Sequence, residues 1–259
     1  MIYIKIAVIG GIFWDVFIYG EQAHSAEILE MCGGSGLNLA FGLRKMGFDV
    51  SFFSNIGNDY KANLIMTELK KYDFDTQYIR QRSGDTGFHI ALNEKPVAVN
   101  RGVNKLPVQI DEEHIKHCDC VVINTEVPKE SIYKVMELSK EKKIFLDIGP
   151  IANLSKDVKG MARDLLVIGN AQEAKKINCD VIKLGHRGAK WGDILVEGDG
   201  IEYQYKIGSG DVFDVVLIWS LLNGADRLQA LKNAVQKAQF AAQSIKGAFS
   251  KIQNLGDER

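Results

Sequence analysis

From residue 120 onward, short apolar runs alternate with helix-like segments, and this rhythm constrains the fold more than any other feature of the chain. The runs CVVINT, IFLDIG, LLVIGN and DVIKLG are apolar at successive positions rather than at alternate ones. Strands that are apolar on both faces are typical of a parallel sheet covered by helices on both sides. We therefore expect an α/β fold with a mostly parallel sheet, and with helices between IFLDIG and LLVIGN and between LLVIGN and DVIKLG.

The rest of the chain fits the same plan. In residues 35–47 the apolar side chains recur at the spacing of one helix face, and the pattern stops at Gly47. The other predicted elements are strands at 4–9 and in DVSFFSNIG, helices in YKANLIMTELKKYD and PKESIYKVMELSKEK and over 211–222 and 227–246, a hairpin within 86–101, and an antiparallel pair made of GDILVEG and GIEYQYKIG. We expect one domain over residues 1–259, with small appended segments at about 17–31 and 86–101.

Composition excludes several classes of function. The 259 residues are 46% hydrophobic, which is enough for one large core, and their net charge is −1. So small a net charge creates no field that attracts nucleic acid or an anionic membrane. No apolar run approaches the roughly 20 residues of a membrane span. The four cysteines show no CxxC spacing, which is typical of a reduced, cytoplasmic protein, and the expected partner is a small polar molecule.

The motif GSGD precedes a long apolar segment and raises a chemical question. Gly208, Ser209 and Gly210 lead into Asp211, where the predicted helix begins. Helix N-termini beyond parallel strands favour anions, and glycines let backbone amides approach a phosphate. A carboxylate beside such an anion site can take a proton from an attacking hydroxyl. The same motif also serves as an ordinary helix start, so both interpretations stay open on these residues alone.

A second segment, GGSGLNLAFGLRKMGFDVSFFSNIG at 33–57, carries a Gly-Gly turn and an asparagine early in the predicted helix. Together with GSGD it resembles the ribokinase/PfkB family of carbohydrate kinases. The resemblance continues through VIGGIFWDVF, GND at 57–59, RGVN at 101–104, GNAQEA and VIKLGHRGA. It implies a three-layer αβα ribokinase-like fold whose small β lid is formed by the appended segments at about 17–31 and 86–101.

The resemblance also implies a role for each matching residue. Asp211 would be the general base, and Gly208, Ser209 and Gly210 would form the anion hole for the transferred phosphate. The substrate's hydroxyls would be bound by Asp15, Gly34, Asn38 and Asn104. ATP would be bound by Asn170, Lys183, Gly185, Gly188 and Gln236. The implied cofactor Mg²⁺ would be held by Glu173 and Asn170, through water, because Mg²⁺ gives up its waters reluctantly.

Several of these residues have a structural alternative. Asn170 and Glu173 are spaced as in a helix capping box, and Lys183 is equally explained as a solvated charge at a strand end. His114 and His117 lie three residues apart, as the edge of a metal site would. A solvated helix face explains these two histidines better, because zinc sites need three or four assembled ligands.

The chain also departs from the family pattern. Tyr205, Lys206 and Ile207 stand where relatives have an acid and hydroxyls that help to bind a monovalent cation, so the departure counts against such a cation. Asp214 follows the base at a position where the family prefers a small residue. Lid strands with exposed edges pair between subunits in this family, which makes a homodimer through the lid an alternative to a monomer.

The leading functional hypothesis is an ATP-dependent kinase that phosphorylates a hydroxyl of a sugar or related polyol. A nucleoside, an inositol or a fructosamine is an alternative substrate, and a non-catalytic sugar- or nucleotide-binding protein is an alternative class. No nucleic acid or membrane partner is expected. A nicotinamide-dependent dehydrogenase and a P-loop enzyme are excluded, because the chain has neither GxGxxG after its first strand nor a Walker A motif.

Overall fold

The computed structural model describes residues 4–149, 154–155 and 158–256. Its α-helices are α1 (Ser35–Lys45), α2 (Tyr60–Lys71), α3 (Glu112–His117), α4 (Lys129–Leu138), α5 (Ser209–Leu222), α6 (Arg227–Ser244) and α7 (Ala248–Gln253). Its strands are β1 (Lys5–Ile9), β2 (Phe13–Tyr19), β3 (Glu27–Gly33), β4 (Asp49–Ile56), β5 (Ile79–Gln81), β6 (Gly87–Leu92), β7 (Lys95–Asn100), β8 (Cys120–Asn124), β9 (Lys143–Asp147), β10 (Asp164–Asn170), β11 (Val181–Lys183), β12 (Gly188–Trp191) and β13 (Ile194–Glu197).

The large sheet has nine strands in the order β13-β12-β11-β10-β9-β8-β1-β4-β5. All neighbours from β11 to β5 run parallel, and β12 and β13 extend one edge antiparallel. From β1 the chain proceeds first to one side, through β4 and β5, and later to the other, through β8. Such a reversal of strand order opens a crevice beyond the carboxyl ends of the strands, which is where ligands bind in open α/β sheets.

Both faces of this sheet are buried, as the apolar runs predict. Ile6 and Val8 of β1 belong to one hydrophobic cluster, which also contains side chains of α1, α2, α5, α6 and α7. Ala7 and Ile9, which point to the opposite face, belong to a second cluster with side chains of α3 and α4. The sheet is therefore the middle of three layers, and the predicted mostly parallel α/β architecture is confirmed.

A smaller sheet of four strands, which we call the lid sheet, has the order β3-β2-β6-β7. Two antiparallel hairpins, β2–β3 and β6–β7, are joined by a parallel pairing of β2 with β6. The second hairpin is the one predicted within 86–101. The outer strand β7 is exposed along its whole length. A single domain over residues 1–259, with lid segments at about 17–31 and 86–101, stays a prediction. A homodimer through the lid also stays a prediction.

Three local expectations were wrong. Among the described residues, only 3₁₀ turns, Val158–Met161 and Glu173–Lys175, stand where helices were expected after β9 and β10. Residues 201–206 form no strand, because β12 takes the place beside β13 and also pairs with β11. His114 is half-buried rather than solvated, since its ring bonds Ser51 Oγ at 2.7 Å and Tyr78 Oη at 2.9 Å.

No helix within the described ranges is both long enough and apolar enough to cross a membrane.

The first turn of α1 lies directly on the residues that follow β1. An added Cβ at Gly36 would lie 2.4 Å from the backbone nitrogen of Gly11, and one at Gly10 would lie 2.5 Å from the Cα of Gly36. Leu37 N donates to Gly11 O at 3.1 Å across the same contact. Glycine at 36 thus sets the distance between helix and sheet, and with it the position of Asn38.

We predict that Gly36→Ala lowers the free energy of unfolding by about 1–3 kcal/mol, because the new methyl group meets backbone atoms that no side-chain movement can clear. Gly160→Ala is the matched control, since an added Cβ at Gly160 meets nothing within 4 Å. Urea unfolding of both variants measures the difference. Equal stability of the two variants would contradict the close approach.

Candidate active site

Two cavities meet at the start of α5. The first, which we call the α6 cavity, has a volume of about 310 Å³ and lies between the β11–β12 turn, α5 and α6. The second, the lid cavity, has a volume of about 280 Å³ and lies between the lid sheet, α1 and α5. Of the residues that the structure describes, Gly210 is the one that lines both of them. Gly210 therefore marks the place where the two cavities adjoin.

Gly208, the residue before α5, is required by its surroundings, whereas Gly210 in the first turn of the helix is not. Gly208 has a left-handed φ of 86°, and an added Cβ there would lie 2.4 Å from the Cα of Ala248, the first residue of α7. An added Cβ at Gly210 would instead have one near neighbour, Lys183 Nζ at 3.8 Å. The bonds within the helix begin with Val212 N, which donates to Gly208 O at 3.1 Å. The amide groups of the preceding turn thus lie at a helix N-terminus, which attracts anions.

Asp211 lies in the first turn of α5 and lines the lid cavity. Asn38 Nδ2 of α1 donates to Asp211 Oδ2 at 2.6 Å. Burial raises the pKa of Asp211 to about 6, although the bond from Asn38 acts in the opposite direction. The charge of Asp147 also raises this pKa, and that of Lys183 lowers it. A carboxylate with such a pKa is deprotonated at neutral pH and basic enough to accept a proton.

Lys183 lies at the end of β11 with its ammonium between two carboxylates. Its Nζ is 3.0 Å from Asp147 Oδ1 and 2.6 Å from Asp214 Oδ2. Burial disfavours the charge, but the two carboxylates outweigh it, so the pKa of Lys183 is raised. Burial also raises the pKa of Asp214, which is completely buried on α5. The alternative of a solvated charge for Lys183 is therefore wrong, and Asp214 is one of its two partners.

The wall of the lid cavity is polar on several sides. Asp15 Oδ1 of β2 lies 3.4 Å from His89 Nδ1 of β6. On the opposite side, Arg101 donates from Nη2 to the backbone oxygen of Glu126 at 2.7 Å, and Gly36 N donates to Glu126 Oε2 at 3.2 Å. Burial raises the pKa of Glu126 to about 8, so this carboxyl group is protonated at neutral pH. The cavity thus presents both donors and acceptors to a ligand.

Residues 4–178 match the model of a family described as pfkB family carbohydrate kinase, which is more than half of the chain. The chain belongs to this family. A deoxyribokinase from Salmonella typhi is 25% identical over an alignment of 286 positions, gaps included. The alignment covers 93% of this chain and 92% of that protein. The carbohydrate kinase class predicted from the sequence is confirmed.

Solved structures establish the fold of this carbohydrate kinase. A ribokinase from Thermotoga maritima superposes with a TM-score of 0.79 at 17% identity, over 97% of this chain and 98% of that one. Ribokinase from Arabidopsis thaliana, complexed with ribose and ATP, superposes with a TM-score of 0.78 at 18% identity, over 96% of each chain. The ribokinase-like fold with a small lid sheet is confirmed.

Most of the residues singled out in the sequence of this kinase line one of the two cavities. Those at the lid cavity are Asp15, Gly34, Asn38, Gly208, Gly210 and Asp211. Those at the α6 cavity are Lys183, Gly185, Gly188, Ser209 and Gly210. The structure thus assembles the predicted residues, from both ends of the chain, around the start of α5.

Asn104 does not line the lid cavity. It is completely buried, its Nδ2 donates to Ile12 O at 2.7 Å, and its Oδ1 accepts from Ile12 N at 3.1 Å. Because both groups of this amide bond the backbone of Ile12, Asn104 holds the loop after β1 in place, and its role in substrate binding stays a prediction. Gln236 is exposed and lines a neighbouring hollow, whereas Gln239, one turn further along α6, lines the α6 cavity itself.

Asn170 and Glu173 adopt the capping arrangement that was the alternative for this pair. Asn170 Oδ1 accepts from Glu173 N at 3.0 Å, and Glu173 Oε2 accepts from Asn170 N at 2.7 Å. Asn170 nevertheless stands opposite Lys183 in the pairing of β10 with β11. No group of three or more His, Cys, Asp or Glu side chains in the described part of the chain could hold a metal ion. Asn170 and Glu173 are only two side chains, so they fit a Mg²⁺ ion whose other ligands are phosphates and water.

Three titratable residues of the lid cavity were not predicted from the sequence: His89, Arg101 and Glu126. Arg101 stands in the RGVN segment, where only the asparagine was selected. Glu126 comes two residues after the end of strand β8, and an acid near the carboxyl end of a buried strand was a usable signal. His89 is in the middle of a hairpin strand, and nothing in the sequence around it marks it.

We predict that Lys183→Met lowers the free energy of unfolding by about 3–5 kcal/mol, because it leaves the carboxylates of Asp147 and Asp214 buried without their cation. Adding Asp214→Leu should restore at least half of the loss, since Asp147 keeps its 2.7 Å bond from Asn124. Lys190→Met, at an exposed position of β12, is the control. Chemical unfolding of the three proteins measures this, and a double variant as unstable as Lys183→Met would contradict the pairing.

Proposed function

We propose that this kinase transfers the γ-phosphoryl group of ATP to a hydroxyl group of a small sugar or related polyol. The observation that carries the proposal is that Gly210 lines both cavities, directly beside Asp211. The nucleotide occupies the α6 cavity, the acceptor occupies the lid cavity, and the phosphoryl group crosses at the N-terminus of α5. Phosphoryl transfer requires mainly this positioning, together with neutralisation of charge.

Asp211 acts as the general base. It lies on the acceptor side of the crossing point, and its raised pKa makes it a stronger base than an ordinary aspartate. Asn38 supports this role, because its amide donates to one oxygen of Asp211 and so orients the carboxylate. The proton of the acceptor hydroxyl goes to Asp211 as its oxygen attacks the γ-phosphorus.

The turn of Gly208, Ser209 and Gly210 forms the anion hole. Its amides lie at the positive end of α5, and the absence of side chains at both glycines leaves room for phosphate oxygens. Ser209 Oγ donates to Lys206 O at 2.7 Å, so its hydroxyl is used within the turn, and its contribution comes from the backbone. Lys183 adds a positive charge on the nucleotide side, close to Gly210.

ATP as the donor is supported by the shape of the fold and by one relative. The Arabidopsis thaliana ribokinase with the same fold is complexed with ribose and ATP. In this chain Gly185 and Gly188 border the α6 cavity at the end of β11, and Gln239 lines its far wall. Mg²⁺ bound to the phosphates would neutralise their charge, with Asn170 and Glu173 reached through water. A monovalent cation is not part of the proposal.

The acceptor is small and rich in hydroxyl groups. At about 280 Å³ the lid cavity falls below the roughly 300–1,000 Å³ of typical ligand sites. Asp15, His89 and Arg101 supply charged or polar groups, and Glu126, protonated at neutral pH, can donate to a substrate oxygen. This polar wall favours a sugar or polyol. A nucleoside, inositol or fructosamine stays an alternative acceptor, and a non-catalytic binding protein stays the alternative class.

The test of this function is ADP release from MgATP with a panel of pentoses, deoxypentoses, hexoses, inositols, fructosamines and nucleosides. Turnover with one sugar or polyol above all the others supports the proposal. If ATP and a sugar both raise the melting temperature but no ADP forms, the binding-protein alternative replaces it. Turnover only with nucleosides would transfer the acceptor assignment to that class.

We predict that Asp211→Asn lowers kcat by about a hundredfold or more, because the amide cannot accept the hydroxyl proton. In the wild-type enzyme, kcat/KM should fall as the pH drops below the Asp211 pKa of about 6, since protonation removes the base. The variant should lose this acidic limb. Steady-state kinetics from pH 5 to pH 8 measure both effects, and an Asp211→Asn enzyme with wild-type kcat would exclude Asp211 as the base.

We predict that Gly210→Ala abolishes most of the transfer without destabilising the fold. The added methyl group has space, with Lys183 Nζ at 3.8 Å as its near neighbour, but it occupies the point where the cavities join. We expect kcat to fall by about a hundredfold, as when an anion-hole contact is lost. Thermal unfolding should match that of Gly160→Ala, the control. Full activity of Gly210→Ala would mean that the phosphoryl group does not cross there.

A further inference from the structure

A carboxylate of the lid sheet is buried against the segment that leads into the anion-hole turn. Glu94 lies in the turn between β6 and β7 but is only 5% exposed. Asn93 and Glu94 both have left-handed backbones, with φ of 46° and 61°. This conformation is common for asparagine and unusual for glutamate, and it persists only where the surroundings stabilise it.

Both oxygens of Glu94 are occupied. Tyr19 Oη of β2 donates to Oε1 at 2.6 Å, and Ile207 N donates to Oε2 at 2.6 Å. Ile207 is the residue immediately before Gly208. The lid turn is therefore joined to the anion-hole turn by a short bond from a backbone amide to a carboxylate, a type about twice as strong as a bond between neutral groups.

A buried ammonium group lies on α7, the helix that packs against Gly208 of the same turn. Lys251 of α7 is only 1% exposed, and its single described hydrogen bond is to Gly247 O at 3.4 Å. Burial lowers the pKa of Lys251 to about 8, while the charges of Glu94 and Asp211 act in the opposite direction. A buried cation is retained only where nearby negative charge compensates it, and here that charge comes from the lid turn and from the base.

The same helix supports the anion-hole turn from below. Ala248, three residues before Lys251 in α7, is the residue on which Gly208 lies, at a distance that excludes any side chain at 208. The turn is thus held between the lid carboxylate at Ile207 and the first turn of α7 at Gly208. Glu94 and Lys251 are the charged groups of these two supports.

We propose that Glu94 and Lys251 are positioning residues of the transfer reaction: the lid carboxylate, balanced by the ammonium of α7, fixes the backbone of Ile207 and thereby aligns the anion-hole amides. This inference rests on the proposed function of that turn. It makes the lid turn a part of the catalytic apparatus, because the anion hole is complete only when Glu94 is seated. Lys251 also places a positive charge near Asp211, which favours its ionised, proton-accepting form.

The experiment compares Glu94→Gln, Lys251→Met and the double variant in the full chain. Glu94→Gln keeps the shape of the side chain but replaces one of its two acceptor oxygens by an amide group, and Lys251→Met removes the ammonium with the loss of one atom in length, so loss of packing is small. Lys116→Met, at an exposed position of α3, is the control. Kinetics use the acceptor that the wild-type enzyme turns over, and the amide resonances of Ile207, Gly208 and Gly210 are recorded in the ligand-free proteins.

For both single variants we expect kcat to fall about ten- to hundredfold, the range that corresponds to a lost hydrogen bond to a charged group. The KM for ATP should change less than about threefold, and the double variant should be no slower than the slower single one, since the two residues act as a unit. Lys251→Met should also move the acidic limb of kcat/KM to higher pH, because Asp211 then keeps the negative charge of Asp147 nearby and only Lys183 as a compensating cation.

The resonances separate this inference from the proposed function. In Glu94→Gln the Ile207 amide proton should move upfield as its bond to a carboxylate weakens, and the amides of Gly208 and Gly210 should shift with it. Unchanged glycine amides, or wild-type kcat in both single variants, would overturn the positioning role. If the wild-type enzyme phosphorylates no acceptor, the proposed reaction fails while the amide shifts still decide the contact. Tyr19→Phe, which removes only a hydroxyl group, replaces Glu94→Gln if that variant does not fold.

Discussion

The ion pairing of Lys183 with Asp147 and Asp214 connects the parts on which this kinase depends. It joins the end of β11 to the end of β9 and to α5, so the helix that carries Asp211 is held to the sheet by charge as well as by apolar packing. A buried carboxylate such as Asp214 is tolerated only with a partner, and a buried ammonium likewise. These bonds fix the start of α5 relative to the strands. Both cavities are lined by residues at the start of α5, so their positions follow from it.

Within that frame, the chemistry depends on how little side-chain volume the turn before Asp211 contains. Gly208 must be glycine because α7 lies against it, whereas Gly210 has space around it and faces both cavities. Packing against α7 thus explains the glycine at 208, and the proposed passage of the phosphoryl group explains the glycine at 210. Glu94 accepts a bond from Ile207, the residue before this turn, and α7 lies against Gly208, so the lid sheet and α7 both contact the turn.

The parallel sheet was predictable because its strands are apolar on both faces, a pattern that local sequence records directly. The 3₁₀ turns that the described residues form after β9 and β10 were not predictable in the same way, since short 3₁₀ turns and helices share the same polar composition. The pairing of β13 with β12, rather than with residues 201–206, is a competition between two nearby segments for one sheet edge. Local propensity does not decide such a competition, because it depends on long-range hydrogen bonds.

The sequence by itself determined the family, the position of Asp211 after its glycine turn, and most cavity-lining positions, because these residues lie in short motifs at strand ends and helix starts. Only the tertiary structure decided the rest. It showed that Asn104 bonds the backbone of Ile12, that Lys183 is paired with Asp214, and that Glu126 and His89 line the lid cavity. It also brought Glu94, Ile207 and Lys251 together from distant parts of the chain. Burial and charge pairing between such residues arise only when the layers pack, so no local pattern encodes them.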